Sequence, residues 1–103
     1  MGGGGSLDRA TIERVVASHT DEIARCYEQG LSKDASLQGK VQLRWTIGMM
    51  GQVKDVRQVF TSLNGGAGVV RCMMDAVRTW RFPHPHGGEV LVDYPFVLRG
   101  MDF

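Results

Sequence analysis

The side chains best suited to chemistry are Cys26 and Cys72 and the histidines His19, His84 and His86. A nucleophilic cysteine needs a base within hydrogen-bond reach. His19 lies seven positions before Cys26, which on one helix is about 10 Å along the axis, too far to take a proton. His84-Pro-His86 offers two metal ligands in a Pro/Gly loop. That is half a zinc site, with no CxxC or HxxxH to complete it, so the segment reads as a stiff connector. The glycines at 65, 66 and 68 lack the Gly-Lys-Ser/Thr of a phosphate loop and read as a helix entry. No catalytic, cofactor or metal constellation is therefore expected, and the expectation is a non-enzyme. The two cysteines leave two readings open: separate buried thiols, or a bridge between two helices that share one sheet face.

Composition narrows the class further. The chain has 103 residues, 43% hydrophobic and 22% charged, which is the balance of a globular domain. Met1-Gly-Gly-Gly-Gly-Ser6 reads as an expression start and flexible linker (1–6), leaving residues 7–103 as one domain cut from a longer protein. Twelve Lys/Arg against eleven Asp/Glu give a net charge of +1. Nucleic-acid and anionic-membrane binders draw affinity from clustered cations, so both classes are disfavoured. No apolar run approaches the roughly 18 residues of a membrane span.

Periodicity then supplies the elements that position these residues. Ile12, Val15/Val16, His19, Ile23 and Cys26/Tyr27 recur at helical spacing, predicting one helix from Asp8 to Gln29, capped by Asp8 and closed by Gly30. Val41, Leu43, Trp45 and Ile47 alternate with Lys40, Gln42, Arg44 and Thr46, predicting a strand with one face on a core. Gly48-Met49-Met50-Gly51 reads as a hairpin loop, which also removes the KH-type reading of its GxxG, since that loop must join two helices. A second strand, Gln52 to Thr61, is expected to carry a bulge near Lys54-Asp55. Val69, Cys72/Met73, Ala76/Val77 and Trp80 predict a helix over 66–80, stopped by Pro83 and Pro85. Val90, Val92, Tyr94, Phe96 and Leu98 alternate along a last strand with Pro95 inside it. Right-handed crossover geometry puts the first strand in the centre. The expected fold class is α+β: α-β-β-α-β, an antiparallel sheet of order 2-1-3 with two helices on one face and Trp45 and Trp80 as core neighbours.

Gly39-Lys-Val-Gln-Leu-Arg-Trp-Thr-Ile-Gly48, Gly51-Gln-Val-Lys-Asp-Val56 and Ala76-Val-Arg-Thr-Trp-Arg-Phe-Pro83 together resemble the TonB C-terminal domain. Arg25-Cys-Tyr-Glu28, Cys72 and Tyr94-Pro-Phe96 resemble the narrower subset at the C-termini of adventurous gliding motility proteins (AgmX/PglI type). The resemblance covers residues 7–99. It implies a periplasmic domain of an inner-membrane-anchored protein in an envelope-spanning, energy-transducing or gliding-motility complex. Its implied partners are periplasmic or outer-membrane protein segments, with an inner-membrane motor reached through the missing N-terminal part. The oxidising compartment it implies favours a Cys26–Cys72 disulfide.

Pro95 singles out a binding edge. Proline has no N–H and is tolerated at a sheet edge with its nitrogen outward. Backbone groups alternate sides along a strand, so Leu91, Asp93 and Val97 share the outward side with Pro95. A free edge is a template for an added strand, and TonB-type domains are similar in receiving partner segments on the last strand. Leu91, Asp93, Pro95 and Val97 are the expected partner-binding residues, with Met49 and Met50 a second contact. The alternative expectation is a structural module forming a strand-exchanged homodimer.

Overall fold

A computed structural model describes residues 4–99; the outer ends of the expected linker and domain, residues 1–3 and 100–103, lie outside the described residues. Six elements follow one another: α1 (Arg9–Ser18), α2 (Thr20–Leu31), β1 (Gly39–Ile47), β2 (Val53–Thr61), α3 (Ala67–Arg78) and β3 (Val90–Leu98). The fold is α+β, with three antiparallel strands in the order β2-β1-β3. The hydrophobic stripe of β1 fixes the layers. Val41, Leu43, Trp45 and Ile47 are fully buried against Ile23, Tyr27, Met73, Val77 and Trp80 from the helical layer. Trp45 and Trp80 meet edge to face at 6.1 Å. Burying such a set is the dominant favourable term for a domain of this size.

The expected first helix is two helices, and the break has a local cause. His19 leaves helical geometry (φ −112°, ψ 14°). On either side of it, the Ser18 and Thr20 hydroxyls donate to the Val15 and Ala17 carbonyls, at 2.6 and 2.7 Å. Side chains that bond the preceding turn compete with the helix ladder and bend it. Asp8 stands at the N-cap without a side-chain capping bond. Gly30 also has a different role from the expected C-terminal cap, because α2 continues to Leu31. A Cβ there would sit 2.4 Å from Val69 Cγ2 and 2.8 Å from Leu37 Cδ2, so this glycine permits the close approach of α2 and α3. Just below it, Cys26 and Cys72 are joined, sulfur to sulfur, across the same pair of helices.

The second strand carries the expected bulge at Asp55, which adopts φ 56°, and a further one at Val59. One solvent-facing expectation fails: Thr46 is buried, at 5% exposure. Its neighbours across the sheet are Lys54 and Leu91. Beside it, the Lys54–Glu89 ion pair links β2 to the residue that precedes β3.

Candidate functional site

Strand order leaves β2 and β3 each with a free side, and the two edges differ. β2 is broken twice by register shifts. Bulges twist an edge and blunt it as a pairing template. β3 pairs with β1 over nine consecutive positions, Gly39↔Leu98 to Ile47↔Val90, with no shift. It offers a long, regular edge.

Side chains along β3 alternate as its spacing requires. Val92, Phe96 and Leu98 are buried, whereas Leu91, Asp93, Pro95 and Val97 are exposed. Backbone polarity is fixed at the strand's start: the Glu89 carbonyl accepts the Gly5 N–H at 2.9 Å. Glu89 thus turns its backbone toward a segment outside the three-stranded sheet. Counting on by twos gives Leu91, Asp93, Pro95 and Val97 the same outward direction. The missing N–H of Pro95 then removes nothing from the ladder with β1. Ser6 also exchanges backbone hydrogen bonds with His86, at 2.8 and 2.9 Å. Gly5 and Ser6 are thus bonded to the segment before β3, an arrangement that no sequence signal announced.

Two grooves run along this edge. One, of about 460 Å³, lies between Leu7, Ile12 and Glu13 on the α1 side and Val90 through Pro95. The other, of about 250 Å³, lies between Val16, Ala17 and Ile23 and the stretch Tyr94 to Val97. Consecutive residues from both faces of β3 line them, so they follow the strand's edge rather than either face. Their helical wall is mixed: Leu7, Ile12, Val16 and Ile23 supply apolar surface, and Arg9 and Glu13 supply charge beside it. The break at His19 separates α1, which supplies Ile12 and Val16 to this wall, from α2.

Beside the edge, the Arg44 guanidinium donates to both Asp93 carboxylate oxygens, at 2.9 and 3.2 Å. Met49 and Met50 are 63% and 66% exposed at the hairpin tip. The Ile47↔Val90 register puts that tip at the Leu91 end of the sheet, about one strand spacing from β3. His84 and His86 do not meet a third ligand: among the described residues no three His, Cys, Asp or Glu side chains converge.

His19, first weighed as a base for Cys26, belongs to a different cluster. Its ring stacks on Trp80 at 4.7 Å, and Nδ1–H donates to Glu22 Oε2 at 2.6 Å. The Trp80 Nε1–H donates to Glu22 Oε1 at 3.0 Å. Partial desolvation pushes the Glu22 carboxyl up, but the hydrogen bonds from His19 and Trp80, with the charges of His19 and Arg25, outweigh it and hold the group below its ordinary value. A lowered folded-state value means that ionised Glu22 stabilises the fold above the ordinary carboxylate range, and this is lost as pH falls through the folded value. The Glu22→Gln variant is therefore expected to show a shallower loss of thermal stability on acidification than the parent. Parallel melting curves down an acid series test this; identical slopes would mean that Glu22 does not contribute.

No family model matches the chain, and no curated protein matches it. Among solved structures it is similar to the NMR solution structure of the Helicobacter pylori TonB C-terminal domain (residues 179–285). The two are 17% identical with a TM-score of 0.48, over 95% of this chain and 97% of that one. This is a coarse likeness of fold.

Proposed function

We propose that this domain is a non-enzymatic protein-interaction module that captures an extended segment of a partner as a fourth strand on β3. The observation that carries this reading is the unshifted nine-residue edge lying beside a groove walled by Leu7 and Ile12, with Arg9 and Glu13 at its side. Leu91, Asp93 and Val97 would supply N–H and C=O groups to the partner, and Pro95 its carbonyl alone. The α1 wall, with Ile12 between Arg9 and Glu13, would receive every second side chain of the added strand. Met49 and Met50 are proposed as a secondary contact, since methionine adapts to irregular apolar surfaces.

Self-pairing is the weaker reading for the same edge. Two β3 strands set antiparallel about Asp93 would pair Leu91 with Pro95 twice, each time lacking a donor. They would also place Asp93, already ion-paired with Arg44, opposite its own copy, where it finds no complementary charge. An edge that discourages its own copy yet stays regular suits a different partner.

The wider setting follows from the sequence motifs. Their likeness to the TonB C-terminal domain and its gliding-motility subset supports a periplasmic location, an inner-membrane-anchored parent, and a partner at or near the outer membrane. A disulfide between α2 and α3 agrees with an oxidising compartment.

A photo-crosslinking residue at position 91 or 97 is expected to trap a partner from envelope extracts, whereas one at the exposed Arg14 is not. Asp93→Pro should reduce capture at least about tenfold, the effect of losing roughly 1.4 kcal/mol of ladder bonding. It should leave the melting temperature nearly unchanged, because within the fold the substitution breaks a half-exposed ion pair of small worth. Normal capture by a folded Asp93→Pro domain, or trapping only from Arg14, would overturn strand addition here.

A further inference from the structure

The sheet face turned away from the helices carries a feature that strand addition does not use. Between Gln42↔Phe60 and Leu43↔Gln58 the register slips by one residue, leaving Val59 as an extra residue in β2. Without it, Phe60 would stand opposite Val41 and face the core. With it, Phe60 stands opposite Gln42 on the outer face, where its side chain is 47% exposed. Bulges that re-aim one side chain occur beside functional sites, and here the redirected side chain is a large aromatic.

Charge on this face is distributed unevenly. Arg44 is neutralised by Asp93, and Lys54 by Glu89. Lys40 and Arg57 have no carboxylate partner among the described residues. The Lys40 ammonium lies 5.3 Å from the Phe60 ring centre. Arg57 stands directly across from Arg44, whose one carboxylate is on the far side. Among the described residues, Lys40 beside Phe60 and Arg57 one outer-face position along β2 thus have no carboxylate, with Pro95 and Val97 as further exposed apolar positions across Gln42 and Lys40.

We propose that this outer face is a second docking surface, adjoining the β3 edge at Pro95 and Val97. It takes an acidic segment of a partner polypeptide, seating an apolar side chain beside Phe60 and carboxylates on Lys40 and Arg57. Two cations without a carboxylate among the described residues complement a pair of carboxylates. They are too few for nucleic acid or an anionic bilayer, where affinity grows with the number of neutralised phosphates or headgroups. The exposed ring supplies the apolar anchor around which such polar contacts gain strength.

The probe is a fluorescein-labelled peptide, Asp-Leu-Glu-Phe-Asp-Leu-Glu, beside a control with Asn and Gln in place of its acids. Binding to the whole chain is read by polarisation and by amide shifts. The acidic peptide is expected to shift the amides of Arg57 to Phe60 and Lys40 to Gln42. Phe60→Ser should weaken it about tenfold, and Lys40→Gln or Arg57→Gln about threefold each, effects typical of an aromatic anchor and of exposed ion pairs. The charge effects should fade near about 1 M salt. The amide of Leu91, at the far end of the edge, should not shift with this peptide, which separates the face from the edge. Arg57→Glu, a change at an exposed position, should weaken binding more than Arg57→Gln and keeps the test valid if Phe60→Ser unfolds. The proposal is overturned if the amide control binds equally well, if shifts map only to Leu91–Val97, or if no saturation is reached at millimolar peptide. Tighter binding of oligo-thymidine or of phosphatidylserine vesicles would assign the face to another partner. A homodimer lost in Phe60→Ser would assign it to a second copy.

Discussion

Reducing the Cys26–Cys72 bridge is expected to lower the unfolding free energy by about 4 kcal/mol in the chain-entropy account of loop closure. The sequence separation is 46 residues, so the unfolded chain loses much of its freedom when the bridge is closed. For a domain near this size, such a loss lowers the melting temperature by roughly 16–32 °C. The bridge ties α2 to α3 where Gly30 brings them together, and Cys26 is nearly inaccessible, at 3% exposure. Reduction should therefore require partial opening of the helical layer and should run slowly in native conditions. Thermal unfolding with and without reductant reads the effect. A Cys26→Ala/Cys72→Ala double variant should melt close to the reduced parent if chain entropy dominates. Oxidised protein should show no thiol after denaturation and a mass two units below the dithiol. Two titratable thiols in material from an oxidising compartment, or equal melting of the oxidised and reduced forms, would contradict this account.

The elements of this fold were legible because their patterns are strong and consistent. The alternation from Val41 to Ile47, the stripe from Val69 to Trp80 and the proline stops at 83 and 85 each have one reading, and the structure agrees. The 2-1-3 sheet order followed from handedness and connection length. The helix break at His19 was harder, because its apolar spacing continues unbroken across it. Only the run Ser18-His19-Thr20, three weak helix formers, hinted at a turn, and the stack on Trp80 from a distant segment confirmed it. That break divides α1, which walls the groove, from α2, and it was the feature least visible in sequence. The bulge at Val59 was equally hidden. Val59 and Phe60 both suit a strand, and nothing local says which of them faces in.

Replacing Gly51 with valine is expected to destabilise the fold by at least about 3 kcal/mol, combining left-handed strain at a β-branched residue with a backbone overlap. Gly51 adopts φ 84°, and a Cβ on it would lie 2.0 Å from the Phe82 carbonyl oxygen. Its sequence context accounts for this glycine only as part of the hairpin turn. The structure adds a second constraint: the Phe82 N–H donates to the Gly51 carbonyl at 2.9 Å, and Gln52 forms an isolated bridge with Arg81. The Gly51-Gln-Val53 and Trp80-Arg-Phe82 segments, distant in sequence, are thus one joint. It holds Phe82 6.2 Å from Trp45, centroid to centroid, beneath the sheet. No side chain can be added at Gly51 without moving backbone, because the opposing atom is a carbonyl oxygen and not a flexible tip. Gly51→Ala should fall between the parent and Gly51→Val, whereas Met50→Val, at a two-thirds exposed neighbour, should stay within about 0.5 kcal/mol of the parent. Amide exchange should locate the damage: the Phe82 N–H should lose protection in Gly51→Ala before the amides shared by β1 and β3 do. If Gly51→Val melted with the parent, the hairpin would be free to swing off the Trp80–Phe82 segment. The joint would then contribute nothing to holding the sheet on its helices.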